Sequence, residues 1–176
     1  MKKKLGVKNA LYPMPVTVVG TQVNNKNNYI AIAHVGIIDH TTLSISMGKM
    51  HYSNQGIKEN KTLSINLISE DLIDKMNYVG SVSGKNTDKS DVFEAEYGIL
   101  KGAPMIKEAP VCMECEVIDI YDRPEFDVFI CKIVNTYVEE EILTDNKVNL
   151  SEVHPVLFAM MAGYWKLGDK ITEEKK

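Results

Sequence analysis

The stretch VCMECEVIDIY (Val111–Tyr121), the turn DRPE (Asp122–Glu125) and the run FDVFICKIVNTYV (Phe126–Val138) read as two long strands joined into a hairpin. Successive side chains of an extended chain point to opposite faces, so Val111, Met113, Cys115 and Val117 share one face. Upstream, Pro15 to Val23 is rich in β-branched residues, Asn24 to Asn28 is a polar turn, and Tyr29 to Val35 is a second apolar run. That is another hairpin signal. Thr42–Met47 (TLSISM) and Thr62–Ile68 (TLSINLI) alternate small polar with aliphatic residues, as half-buried strands do.

Helices fill the gaps between these strands. Residues 53–60 suit a short helix capped by Ser or Asn, and Ser69 opens a longer one in which Leu72, Ile73, Met76 and Val79 form one stripe. Residues 80–109 are rich in Gly, Ser, Asn, Asp, Lys and Pro, with Phe93, Tyr97, Ile99 and Leu100 as apolar anchors. A connection of that length is uncommon unless it has a function. The tail holds a strand-like segment at His154–Phe158, a small-residue turn through Ala162 and Gly163, the run YWKLG (Tyr164–Gly168) and a charged end at 169–176. Six or more short strands in two hairpin groups favour a mainly β fold with short helices, an antiparallel barrel, over a parallel α/β sheet.

Length and composition bound the rest. A chain of 176 residues with 44% hydrophobic content can bury one continuous core, so a single domain over 1–176 is expected. Twenty Lys and Arg against 24 Asp and Glu leave a net charge of -4, so no global positive field draws in nucleic acid or anionic lipid. Lys8, Asn9, Pro13 and Pro15 interrupt the amino-terminal apolar stretch, and no segment reaches the ~20 apolar residues of a spanning helix. With three cysteines, the expectation is a cytoplasmic protein with free thiols.

Three stretches carry candidate chemistry. In the first, a strand runs through Ser46, Met47, Gly48 and Lys49 to His51, Ser53 and Asn54 and opens the short helix, whose unpaired N–H groups stabilise an anion. The competing reading makes Ser53 a simple cap and Lys49 a solvated charge. In the second, GSVSGKNTDK (Gly80–Lys89), Ser83, Gly84 and Lys89 belong to a donor-rich loop able to wrap a polar ligand, or to an ordinary surface loop. In the third, Asn28–Gly36, the small or apolar Ala31, Ile32 and Ala33 would let a flat ring lie on the strand, or would pack inside a barrel. Cys112 and Cys115 have zinc-like spacing but lie on opposite faces of one strand, and no further Cys or His pair completes a metal site. The four histidines lack metal-type helical spacing, and each reads as structural except His51. There is no GxGxxG after a strand, no GxxxxGK[ST] and no GxSxG.

In this order the stretches resemble the flavin reductase-like FMN-binding split-barrel family, flavoredoxin branch. The matching elements are Asn28–Gly36, SISMGKMHYSNQGI at Ser44–Ile57, the pattern of Gly80, Ser83, Gly84, Asp88 and Lys89, Ala103-Pro104, Val111–Val117, and GYWKLG at Gly163–Gly168. The resemblance implies a six-stranded split barrel, a homodimer, and one FMN per subunit. It places Ala31–Ala33 and Ser46–Gly48 by the ring and ribityl chain, and Lys49, Ser53 and Asn54 by the phosphate. Ser83, Gly84 and Lys89 then close the site. Where an Arg-containing phosphate turn is common in the family, His51-Tyr52-Ser53 stands here, exchanging a permanent charge for a titratable ring. The expected function is hydride transfer from NAD(P)H to FMN with no catalytic side chain. The alternatives are an electron carrier served by a redox protein, and a split-barrel module that binds no flavin.

Overall fold

The computed structural model describes residues 1–172; the last four residues of the charged end lie outside the described residues. In chain order the elements begin with β1 (Met14–Pro15), β2 (Thr17–Val23), β3 (Lys26–Ile32), β4 (Val35–Ile37), β5 (Thr42–Gly48), α1 (Ser53–Asn60) and β6 (Thr62–Leu67). They continue with α2 (Ile73–Ser81), β7 (Ala95–Glu96), β8 (Met105–Ile106), β9 (Val111–Asp122) and β10 (Phe126–Val138). The chain then forms β11 (Leu143–Thr144), β12 (Lys147–Val148), α3 (Leu150–Val153), β13 (Val156–Ala159) and β14 (Gly163–Lys166).

The main sheet is antiparallel, in the order β3-β2-β6-β9-β10-β5-β4. Its two edge strands, β3 and β4, are neighbours in the chain, joined only by Ala33 and His34. So short a link spans roughly 10 Å at full extension, so the sheet must curl until its edges nearly meet. The result is a split β-barrel. The apolar run Tyr29–Val35 is therefore not one strand: it breaks at Ala33–His34, and the main sheet carries seven strands rather than six. His34 crosses over to β5, where its carbonyl accepts from Ser46 N–H at 2.9 Å.

Local chemistry explains the turns. Asn24 and Asn25 both have positive φ, 51° and 61°, which the right-handed twist of a two-residue hairpin turn requires and which Asn tolerates. The turn is shorter than expected because Asn27 and Asn28 join the ladder opposite Gln22 and Thr21. The β9–β10 hairpin forms as expected, bent by register shifts at Ile130/Cys131 and Ile133/Asn135.

Two apolar clusters flank the sheet. Val19, Ile45, Ile65, Phe129 and Cys131 fill the barrel, closed by Ile57 of α1. Val18, Tyr29, Met76, Val79 and Phe93 pack on the other face, under α2. Cys112 belongs to the second and Cys115 to the first, as alternation demands. The α2 stripe packs on the sheet as expected, but a 3₁₀ turn (Glu70–Leu72) precedes the helix and the Ser69 side chain makes no cap bond. In the long connection Phe93 is an anchor, but Ile99 and Tyr97 are exposed. Ala103, Met105 and Ile106 take over the burial. Among the described residues, no helix is long and apolar enough to cross a membrane.

Candidate functional site

Where the barrel splits, the end of β3 and the crossover face the end of β5. Ala31, Ile32, Ala33 and His34 form one wall of a cavity of about 290 Å³, and Ser46, Met47 and Gly48 form the other. Phe126 from β10, Phe158 from β13 and Tyr164 from β14 complete an apolar slot. The small side chains at Ala31 and Ala33 keep it open for a flat group.

His51 belongs to this slot and also to a second hollow of about 210 Å³, so the two adjoin. The second hollow is mixed in character: Ile30, Met50 and Val82 give it apolar surface, while Tyr52 and Ser53 at the start of α1, Ser81 and Ser83 of the Gly80–Gly84 loop, and Lys89 supply its polar groups. Tyr52, Gly84 and Lys89 are shared in turn with a more open polar groove of about 370 Å³.

Lys89 is only 3% exposed. Its ammonium donates to the carbonyls of Val79 and Val82, at 3.0 and 3.1 Å, where α2 ends and its dipole is negative. These bonds use two of its three donors. Burial lowers its pKa from the usual lysine range to about 8, so an anion in the hollow would restabilise the charge. The sequence points to a loop cation; the fold makes it a buried one. His51 is half-buried, and burial first, then the nearby charge of Lys89, lowers its pKa, which keeps the ring neutral at pH 7.

Ser53 does not cap α1: the N-cap is Tyr52, without a side-chain bond, and Ser53 Oγ instead accepts from Asn28 Nδ2 at 2.7 Å. Asn28 also constrains Gly84, because a Cβ there would overlap Asn28 Oδ1. Ser83 shapes its loop by accepting from Lys85 N–H at 3.3 Å through Oγ and from Asn86 and Thr87 through its carbonyl.

Two expected site residues stand apart from the hollows. Lys49 pairs with Asp122 at the β9–β10 turn, because Gly48 and Lys49 lie beside that turn in the β5–β10 register. Asn54 turns away from the slot, its Nδ2 donating to Asp127 Oδ2 at 2.8 Å and to the Gly48 carbonyl at 3.2 Å. Conversely, Phe126, Phe158 and Met160 line the slot though pattern reading passes over them, Asn28 and Tyr164 lie in stretches it singles out without a site role of their own, and His34 faces the cavity instead of serving the core. Asn28 left a signal of its own, a polar residue at a buried strand position. Among the described residues, no cluster of His, Cys, Asp and Glu could hold a metal ion.

A flat apolar slot opening at one corner into a hollow that holds hydroxyls and a buried ammonium matches a ligand with a ring at one end and a phosphate at the other. The model of the flavin reductase-like domain matches residues 9–159. The chain belongs to this family. Within it the resemblance is to the flavoredoxin branch. A flavoredoxin from Methanosarcina acetivorans is 36% identical, with a TM-score of 0.93 over 98% of this chain and 95% of that one. Flavoredoxin of Desulfovibrio vulgaris (Miyazaki F) is 29% identical, with a TM-score of 0.91 over 98% and 97%. An FMN-binding protein from Thermus thermophilus, 18% identical with a TM-score of 0.81 over 99% and 97%, shares the fold. An uncharacterized protein of Aeropyrum pernix is 26% identical over 103 residues, which are 56% of this chain and 39% of that protein's length. Membership in the flavin reductase-like family gives the chain a flavin-linked redox role.

Proposed function

We propose that the chain binds FMN in this groove and passes redox equivalents through it, accepting hydride from NAD(P)H. The observation that carries the reading is the junction at His51 between the apolar slot and the hollow that holds buried Lys89. Bound FMN supplies the hydride-accepting and electron-donating chemistry. The chain supplies the rest. Ala31, Ile32 and Ala33 with Ser46, Met47 and Gly48 seat the ring, and Phe126, Phe158 and Tyr164 keep water from its apolar faces. Lys89, Ser53, Ser83 and the backbone at Gly84 hold the phosphate. His51, neutral at pH 7, serves as a hydrogen-bonding wall between ring and phosphate ends instead of a cation. No side chain is required to abstract or donate a proton.

The exposed apolar rim of the slot, Phe126, Met160 and Tyr164, supports a homodimer that covers it. Light scattering of the full chain tests that assembly. A second reading, an electron carrier fed by a redox protein, is favoured by the likeness to two flavoredoxins. Anaerobic titration of the FMN-loaded protein separates the two readings. Bleaching of the visible flavin band by NADH or NADPH supports the reductase. A band that persists with both nucleotides yet bleaches with a reduced protein donor supports the carrier.

A further inference from the structure

Asp127 is 1% exposed, yet it carries a carboxylate inside the sheet beside the slot. Its Oδ2 accepts from Asn54 Nδ2 at 2.8 Å and pairs with Lys58 Nζ at 2.7 Å. Asn54, itself 4% exposed, shares Nδ2 between that carboxylate and the Gly48 carbonyl, which also accepts from His51 N–H at 3.0 Å. The His51 carbonyl in turn accepts from the Asn54 N–H at 3.1 Å. Both Nδ2 partners are acceptors, which fixes the amide orientation and leaves Asn54 Oδ1 buried without a partner. A buried unpaired acceptor is costly, so this geometry persists only because the surroundings impose it.

The strand register shows what the cluster connects. Asp127 lies opposite Met47, and Phe126 opposite Gly48. Phe126, Met47, Gly48 and His51 all line the slot, whereas Asp127 and Asn54 do not. A charge-assisted bond between two buried groups therefore ties β10, which brings Phe126 to the slot, to the start of α1, whose preceding turn brings Gly48 and His51 to it.

We propose that Asp127 and Asn54 are positioning residues: together they hold the Gly48–Ser53 turn against β10 and so set the shape of the slot. The consequence for the ligand rests on the FMN reading above. Without the tie the His51–Ser53 end of the turn is held to β10 only through the backbone pairing of Gly48 and Lys49, and the ring loses a fixed seat while the barrel core stays intact.

The test uses Asn54→Ala and Asp127→Asn in the full chain. Amide hydrogen exchange is followed on the apoprotein, and visible circular dichroism is recorded with FMN at saturation. Exchange in peptides spanning 48–53 is expected to accelerate about tenfold while β2 and β3 keep wild-type rates. The saturated variants should show an altered visible band and bind FMN about tenfold more weakly. If Asp127→Asn does not fold, Asn54→Ser, too short to reach both oxygens, carries the same comparison. Wild-type exchange over 48–53 with a wild-type band overturns the proposal, and so does a uniform acceleration across all strands. Faster exchange at 48–53 in a protein whose wild type takes up no FMN supports the hold on the turn and overturns the FMN reading alone.

Discussion

Asn28 Nδ2 donates to Ser53 Oγ at 2.7 Å, and this one bond joins strand β3, where Asn28 lines the open polar groove, to the first turn of α1, where Ser53 lines the second hollow. The same side chain presents Oδ1 to Gly84, so three distant parts of the chain meet at one amide. Strand, helix start and loop thus converge through a residue that need not touch the ligand.

Gly84→Ala should expose this joint. The added methyl meets Asn28 Oδ1 and the Tyr52 ring, so either Asn28 swings off Ser53 or the loop lifts. We expect a loss of about 1–3 kcal/mol in urea unfolding and a weaker hold on FMN. Unchanged stability together with unchanged FMN affinity contradicts the joint.

Lys89 gives the site a pH dependence whose sign follows from its lowered pKa. Below about 8 the ammonium is already protonated in the apoprotein, so FMN affinity is flat with respect to this group. Above that value binding must draw a proton onto Lys89, so affinity falls as pH rises, by up to about tenfold per unit. Lys89→Met should bind FMN at least about tenfold more weakly at pH 7 and lose the fall above pH 8. Equal affinity and equal slope in the variant would remove Lys89 from the phosphate site.

His51 reports the same charge from the other side. Its pKa is lowered by burial and, secondarily, by Lys89, so its titration by NMR in the apoprotein should lie below that of a free histidine. In Lys89→Met the repulsion disappears and the midpoint should rise, though burial keeps it from reaching the free value. A midpoint that does not move would mean the two groups are electrically independent.

Phe129 separates stability from binding. It is fully buried in the barrel cluster and lines neither hollow. Phe129→Ala should lower stability by about 3–5 kcal/mol. Below its melting temperature the variant should still take up FMN.

Much of the fold was written in local pattern. The alternation through Val111–Val117 and the β-branched runs before and after Asn24 declare their strands, because period-two burial leaves a period-two sequence. The break at Ala33–His34 was not legible: nothing in NYIAIAHV marks the point where hydrogen-bonding partners change from β2 to β5, since that switch belongs to sheet closure. The donor-rich loop at Gly80–Lys89 and the turn after β5 were readable as ligand-facing segments, and both line the hollows. Roles inside them were not. Lys89 reads from sequence as a loop cation that closes over the ligand, and only the folded chain shows it buried against the end of α2 with two of its donors already engaged. Asn54 likewise reads as a ligand donor until Asp127, far away in sequence, arrives to take its amide. Phe158 and Tyr164 reach the slot from the last strands, a placement that no local period encodes.

Titration of the full-length apoprotein into FMN and, separately, into riboflavin, followed by flavin fluorescence, addresses the central claim most directly. The groove described here should quench FMN at one site per chain with a Kd of about 1 µM or tighter, and bind riboflavin at least about a hundredfold more weakly. FMN fluorescence that never departs from that of free flavin, or equal affinity for the two, would contradict it.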